Sequence, residues 1–591
     1  MKRALRVANC SGFYGDRVSA AREMVEGGPI DVLTGDYLAE LTMLILWKAR
    51  QKDPSAGYAK TFLNQMEQVL GTCLDRGIRV VTNAGGLNPV GLADSVRGLA
   101  DKLGLAPRIA CVVGDDILER LDDLVADGHD LAHLDTGQTL SAAGVKPVSA
   151  NAYLGAWGIA EALAEDADVV VCPRVTDASV VVGPAAWWHG WSRTDYSALA
   201  GAVVAGHVIE CGPQTTGGNY SWLDEVTDRR YPGFPIAEVE GDGSSVITKH
   251  PDTGGLVSPG TVTAQLLYEI DEPAYVNPDV VAHFDTIDLE QIDTDRVLVS
   301  GVQGTPPPDR FKVAVNYIGG YRNTMTLVLT GLDVDEKAAW AEQQLFDILG
   351  GKDRFDEVDV RLLRFDHDDA TTNEEATAHL RVTVKAADPK LVGRAFSNAT
   401  MELALASYSG FHTTTPPTSE SAYGVYWPTL LPAELIDHQV VLPDGTRRSI
   451  PPTPTGRLPE STPRRRPLPP APEGETRRAP LGRVCAARSG DKGGNANVGL
   501  WTRSDLEYAW LREHLTVDKL RELLAEAADL EIRRYELANL RALNFVIVGL
   551  LGAGVAASTR PDPQAKGLGE YLRARHVDIP VDLLAEERRD V

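Results

Sequence analysis

Residues 206–221 read GHVIECGPQTTGGNYS. Val208–Cys211 reads as a short strand that opens into a loop of Gly, Thr and Asn. Gly217 and Gly218 permit positive φ and close backbone approach, and successive N–H groups in such a loop form a concave anion site. Thr216, Gly217, Gly218 and Asn219 are therefore ligand-binding candidates. Glu210, which a strand would deliver to the mouth of the loop, is a catalytic candidate. A second stretch of the same style, SGDKGGNANVG, occupies residues 489–499. Its Asp491, Lys492, Gly493, Gly494 and Asn495 are candidates for another wall of the same site. The structural alternative for both stretches is a pair of tight glycine turns.

Working outward, residues 1–280 alternate strands and helices. Arg6–Asn9, Ile30–Leu33, Ile78–Thr82, Arg108–Val113 and Asp168–Cys172 are short apolar strands. Helical runs lie between them at Val18–Glu26, Tyr37–Arg50, Tyr58–Asp75 and Ala156–Ala164, and after Pro89. Such strands suit a parallel sheet covered on both faces. Their polar ends, TGD, TNAGG, VGDD and PRVTD, together with ECGPQTTGG, then share one edge, where open parallel sheets hold ligands. A closed barrel would present the same ends on one rim; the irregular connections favour an open sheet. Ile236–Lys249 reads as a hairpin around a Gly-Asp-Gly turn. The fold class is thus α/β: a mostly parallel open-sheet domain over 1–280, then an α+β block over 281–450. A Pro/Arg-rich linker follows over 451–480, with RRR at 464–466 read as solvated. A small ferredoxin-like domain occupies 481–591.

A chain of 591 residues exceeds what one core can hold, so about two to four domains are expected. Its net charge of −25 argues against nucleic acid or an anionic membrane as main partner. An anionic small molecule must then be met locally, by loops and a few Arg or Lys. The six cysteines form no C-x-x-C pair and no zinc-like cluster with His, so no metal is expected. Neither a signal peptide nor an apolar run of roughly eighteen residues is present, and a cytoplasmic protein is expected. A large acidic chain with β-rich parts has sheet edges to protect, which points to a homo-oligomer.

Several long motifs together resemble one family: GDYLAE (35–40), TNAGGLNP (82–89), NAYLGAWGI (151–159), ADVVVCPRVTDASV (167–180), GHVIECGPQTTGGNYS (206–221) and TVTAQLLYEI (261–270). They are similar to the acyclic terpene utilisation protein A family over about residues 4–450. ARSGDKGGNANVG (487–499) and ALNFVIVGLLGAGV (542–555) resemble the ferredoxin-fold domain often appended to it. The resemblance implies a bacterial pathway for citronellol- and geraniol-type compounds. Substrates there travel as coenzyme A thioesters, so acyl-CoA is the implied ligand. It does not carry catalytic residues.

The candidate chemistry rests on the residues themselves. Asp36 and Asp177 follow predicted strands at the ligand edge; two carboxylates in different environments can divide acid and base work, or cap helices. Arg174, at another strand exit, suits a carboxylate or phosphate, or an internal bridge to Asp177. Asn83, before Ala-Gly-Gly, is placed to bond a carbonyl or oxyanion, or to fix a turn. Gly85 and Gly86 beside it are ligand-binding candidates. His412, among the hydroxyls of GFHTTT, is a candidate base, with a structural histidine as the alternative. Cys211 lacks an identifiable partner for nucleophilic work. Lys492 beside two glycines lacks the phosphate-loop spacing, and Gly12-x-x-Gly15 is too short for a dinucleotide fingerprint. No cofactor is therefore assigned; a coenzyme A thioester is a candidate substrate. The leading reading is an enzyme acting on an acyl thioester or related carboxylate, in the hydratase, lyase or hydrolase range. The rival is a non-catalytic binding or assembly subunit serving an acyl-CoA enzyme. In either case the tail loop is expected to close over the ligand edge, in its own chain or a neighbour.

Overall fold

The computed structural model describes residues 2–456 and 467–584; the Arg464–Arg466 run read as solvated lies outside them. By contact the described chain divides into two compact units. One comprises residues up to Asn316, Tyr426–Val555 and those from Asp562 on; the other is Tyr317–Val425 with Ala556–Pro561.

The first unit is built on an open sheet of eleven strands. Its centre is parallel: β1 (Leu5–Asn9), β2 (Val32–Gly35), β3 (Arg79–Thr82), β4 (Ile109–Val113) and β5 (Val169–Val171) lie in the order β1-β2-β3-β5-β4. These strands carry little but aliphatic side chains because helices cover both faces; Val169, Val170 and Val171 are all fully buried. Antiparallel strands flank the centre. On the β1 side come the predicted hairpin, β6 (Pro235–Val239) and β7 (Ser245–Lys249), and then β9 (Arg296–Ser300) and β8 (Asp288–Asp293). On the β4 side come β10 (Gln439–Val441) and β11 (Arg447–Ser449). The sheet is open at β8 and β11, which settles the choice between sheet and barrel.

The intervening helices start and stop where the sequence provides for it. The helix Pro89–Leu103 begins with Asn88, whose side chain accepts from the Gly91 N–H at 3.0 Å, and with Pro at its first position. It ends at Gly104 with φ +69°.

One expectation fails. Val208–Cys211 is not a strand: Tyr196–Ile209 is a single helix, α1, and Glu210 follows as its C-terminal cap. Every residue from Leu199 to Ile209 is buried. The helix packs between the large sheet and a three-stranded sheet of Ala274–Val276, Val281–His283 and Gln303–Thr305. A helix buried all round has no polar face, so its Val and Ile content imitates a strand.

The tail, also within the first unit, folds as a four-stranded antiparallel sheet. Its strands are β12 (Ala486–Lys492), β13 (Asn495–Trp501), β14 (Ile532–Leu537) and β15 (Ala542–Ile547), in the order β12-β13-β15-β14. Helices Asp505–His514, Val517–Leu523 and Leu568–Ala574 accompany the sheet. The stretch at 489–499 is therefore mostly strand, a hairpin turning at Gly493-Gly494 rather than an extended loop. Part of the segment read as linker is docked. Thr453 is buried, and its hydroxyl accepts from Trp157 Nε1 at 3.0 Å; Thr476–Pro480 pairs with His576–Pro580.

The second unit is an α+β assembly. Its sheet contains Glu357–Arg364, Thr377–Ala386 and the part of the long strand Arg310–Thr330 that belongs to this unit. Helices Val334–Leu349 and Phe396–Glu402 share its apolar core.

One close approach fixes where α1 ends. A Cβ on Gly12, just after β1, would sit 2.5 Å from the Cys211 carbonyl carbon. Backbone cannot yield there as a flexible side chain would. Gly12→Ala is expected to destabilise the protein by more than about 1 kcal/mol, read as a lower midpoint in urea unfolding; an unchanged midpoint would show that the two loops are free to separate.

Candidate functional site

The parallel strands deliver their polar ends to one edge. Asp36 follows β2 and is buried; its backbone N–H donates to Ser11 O at 2.9 Å. Asn83, after β3, is fully buried and joins that turn to its neighbour. Its Nδ2 donates to Asp36 Oδ1, and its Oδ1 accepts from the Tyr37 N–H at 2.8 Å. Arg174, after β5, is 3% exposed. It donates to Asp177 Oδ1 at 3.0 Å and to Leu38 O at 3.3 Å, and lies 4.3 Å from the centre of the Tyr153 ring. Burial opposes its charge, but Asp177, Tyr153, Glu40 and Asp36 together hold the guanidinium firmly protonated. Burial also pushes the Asp36 carboxyl well above the usual range, with Asp177 and Glu210 adding to the effect and Arg174 and Asn83 resisting it.

The end of α1 supplies Glu210 and His207. Glu210 Oε1 lies 3.3 Å from His207 Nδ1, and both side chains are buried. Burial, then Asp177, raises the Glu210 carboxyl against the pull of Lys492 and Arg174. Burial, then Lys492, lowers His207 to about 4. Cys211 is next in sequence, and burial raises its thiol far above the range in which a thiolate forms at neutral pH.

The tail closes the site from the opposite side in the same chain. Lys492 Nζ, at the tip of β12, donates to Glu269 O at 2.7 Å. The Ser221 hydroxyl donates to Ala487 O at 2.7 Å, the Glu269 N–H to Asn497 Oδ1 at 2.8 Å, and Asn544 Nδ2 to Asp271 O at 2.6 Å. Asn495 donates to Asp135 Oδ1 at 2.9 Å. Gly490 admits the Tyr268 ring, which would lie 2.4 Å from any Cβ there.

Between these walls is a cavity of about 1140 Å³. Of the residues singled out from sequence, Asp36, Arg174, Asp177, Glu210, Gly218, Asn219, Asp491, Lys492, Gly493 and Asn495 line it. The others do not. Asn83 stands behind Asp36. Gly85 and Gly86 serve packing: a Cβ on Gly85 would lie 2.5 Å from Cys172 O, and Gly86 has φ +50°. Thr216 is fully buried and donates to Gly233 O at 2.6 Å, while Gly217 holds a turn with φ +101°. Gly494 lies against Gly552 O. His412 belongs to the second unit, is exposed, and faces Gly410 O through Nδ1 at 2.9 Å. Glycine required for tight backbone contact and glycine required for ligand approach look alike in sequence, which explains these departures.

Sequence reasoning missed Glu40, Tyr153, His207, Glu269, Tyr275, Lys312 and Tyr426, all of which line the cavity. Tyr153 donates to Glu40 Oε1 at 3.2 Å. Glu40 is opposed by burial, yet Lys312, Arg174 and Lys492 draw its carboxyl below the usual range. Carboxyls lining one cavity are thus shifted in opposite directions. Among the described residues, no group of three or more His, Cys, Asp or Glu is arranged to hold a metal ion, and no helix is long and apolar enough to cross a membrane.

Fold and site define an α/β protein with an ionisable ligand-sized cavity that a ferredoxin-like domain completes. The chain belongs to the acyclic terpene utilisation family: the model described as "Acyclic terpene utilisation family protein AtuA" matches residues 5–442. A second model, "AtuA ferredoxin-like domain", matches residues 479–578. No curated protein matches the chain.

Behind the cavity, Asp115 supports the Arg174 turn. Its Oδ2 accepts from Asn151 Nδ2 at 2.8 Å and from the Arg174 N–H at 3.3 Å. Burial, then Asp116, raises its carboxyl to about 7. Folding therefore retains a proton that the unfolded chain releases near pH 4. The contribution is complete below that pH and falls by about 1.4 kcal/mol per pH unit until pH 7. Asp115→Asn is expected to flatten the decline relative to wild type between pH 4 and 7, measured by urea unfolding at several pH values. Parallel wild-type and variant profiles would contradict it.

Proposed function

We propose that the protein is an enzyme of acyclic terpenoid or branched-chain acyl catabolism. It acts on an acyl thioester or the related carboxylate by moving protons, in the hydratase, lyase or hydrolase range. The observation that carries this reading is the division of carboxyl groups within one cavity. Burial pushes the Glu210 and Asp36 carboxyls well above the usual range, while Lys312, Arg174 and Lys492 draw Glu40 below it. Environments that separate the protonation states of neighbouring carboxyls are how acid and base roles are divided.

Arg174, Lys312 and Lys492 supply positive charge for a carbonyl or carboxylate oxygen and for the charge that builds on it during reaction. The inner wall, rich in charge and tyrosine, is a poor lodging for a hydrocarbon chain. Phe13, Leu134 and Tyr231 line the cavity yet remain 60%, 48% and 65% exposed, so they stand at the rim and offer apolar surface there. Asp177 orients Arg174 through its 3.0 Å contact. Family membership supports the terpenoid context.

Purified protein incubated with a panel of branched acyl-CoAs and the corresponding free acids, with products identified by mass spectrometry, tests the reading. Turnover that falls by about 10²–10⁴ in Glu210→Gln, with binding retained, is the expected result. Binding without turnover across the panel would favour the assembly-subunit reading instead. Lys492→Met is expected to weaken binding of acyl-CoA or free acid at least about tenfold, or 1.4 kcal/mol, by calorimetry. It also lowers the melting temperature, because Glu40 loses one of the cations that draw its carboxyl down. Unchanged affinity in the folded variant would remove the tail from the binding site.

A further inference from the structure

Lys312 stands near the start of the strand Arg310–Thr330 and lines the cavity. Its carbonyl accepts from the Tyr153 N–H at 2.9 Å, which fixes the strand beside Pro147–Ala152 and its continuation. The residue is half-buried. Its Nζ lies 5.0 Å from the centre of the Tyr153 ring and 5.6 Å from that of Tyr426. Ring faces attract a cation, but they do not replace the oxygen acceptors that an ammonium, a donor only, has in water. Among the described residues, no oxygen accepts from Lys312 Nζ and no carboxylate pairs with it. The other cations of the cavity are engaged or in solvent. Arg174 holds Asp177 and Leu38 O, and Lys492 holds Glu269 O. Lys566 donates to the Tyr268 hydroxyl and Arg533 to Glu531. Arg310 is exposed. Lys312 is thus, among the described residues, the half-buried cation of this cavity whose donors are unspent.

The charges of the inner wall do not balance it. Asp177 is matched to Arg174. Burial shifts Asp36, Glu210, Glu269 and Asp491 away from their charged forms. Burial also opposes the charge on Glu40, and Lys312 is first among the cations that favour it, followed by Arg174 and Lys492. Glu40 can offset one of the two lysines, and the other is left without a counter-charge. The two ammonium groups also repel: burial, then Lys312, lowers Lys492. A single negative charge placed beside Lys312 removes both defects.

We propose that Lys312 anchors the carboxylate of the ligand, so that the cavity takes a free branched-chain acid as a monoanion rather than its coenzyme A ester. The proposal rests on the reading of this cavity as the site of acyl chemistry and chooses between the two ligand classes named there. A thioester carbonyl accepts a hydrogen bond but brings no charge to match the ammonium, and charge-assisted bonds are the stronger ones. The mouth of the cavity agrees. Coenzyme A carries a diphosphate and a ribose phosphate, which call for several cations. Of the exposed charged residues that line the mouth, Asp135, Glu272 and Asp309 are acidic, and Arg533 and Lys566 are already hydrogen-bonded. Arg310 remains as the cation with no partner among the described residues. Val276 and Leu430 extend the exposed apolar rim of Phe13, Leu134 and Tyr231, so a hydrocarbon chain can lead outward from a carboxylate held within.

Calorimetric titration of the full-length protein with citronellate, its primary amide and its coenzyme A ester tests this by binding alone. The three probes share a branched hydrocarbon chain and differ in what they bring to Lys312. The acid is expected to bind at least about tenfold more tightly than either derivative. In Lys312→Met, which keeps an apolar stem between the two tyrosine rings, the preference for the acid over the amide should disappear while the affinity for the amide is unchanged. Four results would each overturn the proposal: no binding of the acid, an amide that binds as tightly, a coenzyme A ester that binds as tightly or more so, or a preference for the acid that survives in Lys312→Met. Should Lys312→Met fail to fold, the wild-type ranking of the three probes decides alone. The enzyme reading fails separately. Binding of the acid through Lys312 with no turnover would end that reading and leave this one, and turnover of acyl-CoA untouched by Lys312→Met would do the reverse.

Discussion

The site depends on a guanidinium that water scarcely reaches. A buried Arg must be paired, because an isolated charge in the interior costs several kcal/mol. Arg174 meets this requirement through Asp177, the Leu38 carbonyl and the Tyr153 ring. Each of those partners comes from a different stretch of chain, so the arginine locks the exits of β2 and β5 to the strand Pro147–Ala152 and its continuation. Its positive charge also shapes the neighbouring acids, drawing Glu40 down while burial still holds Asp36 and Glu210 up.

An acidic protein offers few cations to such a place, and its tail supplies one of them. Lys492 reaches Glu269 from a hairpin tip whose glycines let it approach the opposing wall. The polar contacts behind it are numerous and directional: a serine hydroxyl to a strand carbonyl, and two asparagines to main-chain groups. They hold the tail as a fixed wall of the cavity. The linker upstream is partly docked for the same reason, through Thr453 and the strand Thr476–Pro480.

How much of this was legible follows from what local sequence encodes. Short apolar runs with polar endings identify β1 to β5, because a strand covered on both faces has no other pattern, and this brought Asp36, Arg174 and Asp177 to one edge. Lys492 beside two glycines also marked the tail stretch as a wall of the site, although it was read as a loop and folds as a hairpin. The helix Tyr196–Ile209 was read as ending in a strand because total burial removes the polar stripe that marks a helix. Gly85, Gly86 and Thr216 were taken for ligand contacts because close packing and ligand approach select the same residues. Glu40, Lys312 and Tyr426 carry no local signal. They lie at a helix start and within strands, and only the fold brings them near Arg174. His412 was chosen for its hydroxyl neighbours, and the fold places it on the surface of another unit.

The residues around the cavity span the chain from Gly12 to Lys566. During synthesis, the sheet strands and α1 emerge hundreds of residues before the hairpin that closes over them. Contacts of such long range form late, after the loop entropy separating them has been overcome. Until then the cavity lacks Lys492, the cation that the tail contributes. Docking of the tail brings Lys492 to bear on Glu40 and Glu210, so part of the site's electrostatics is acquired late in assembly rather than inherited from the sheet.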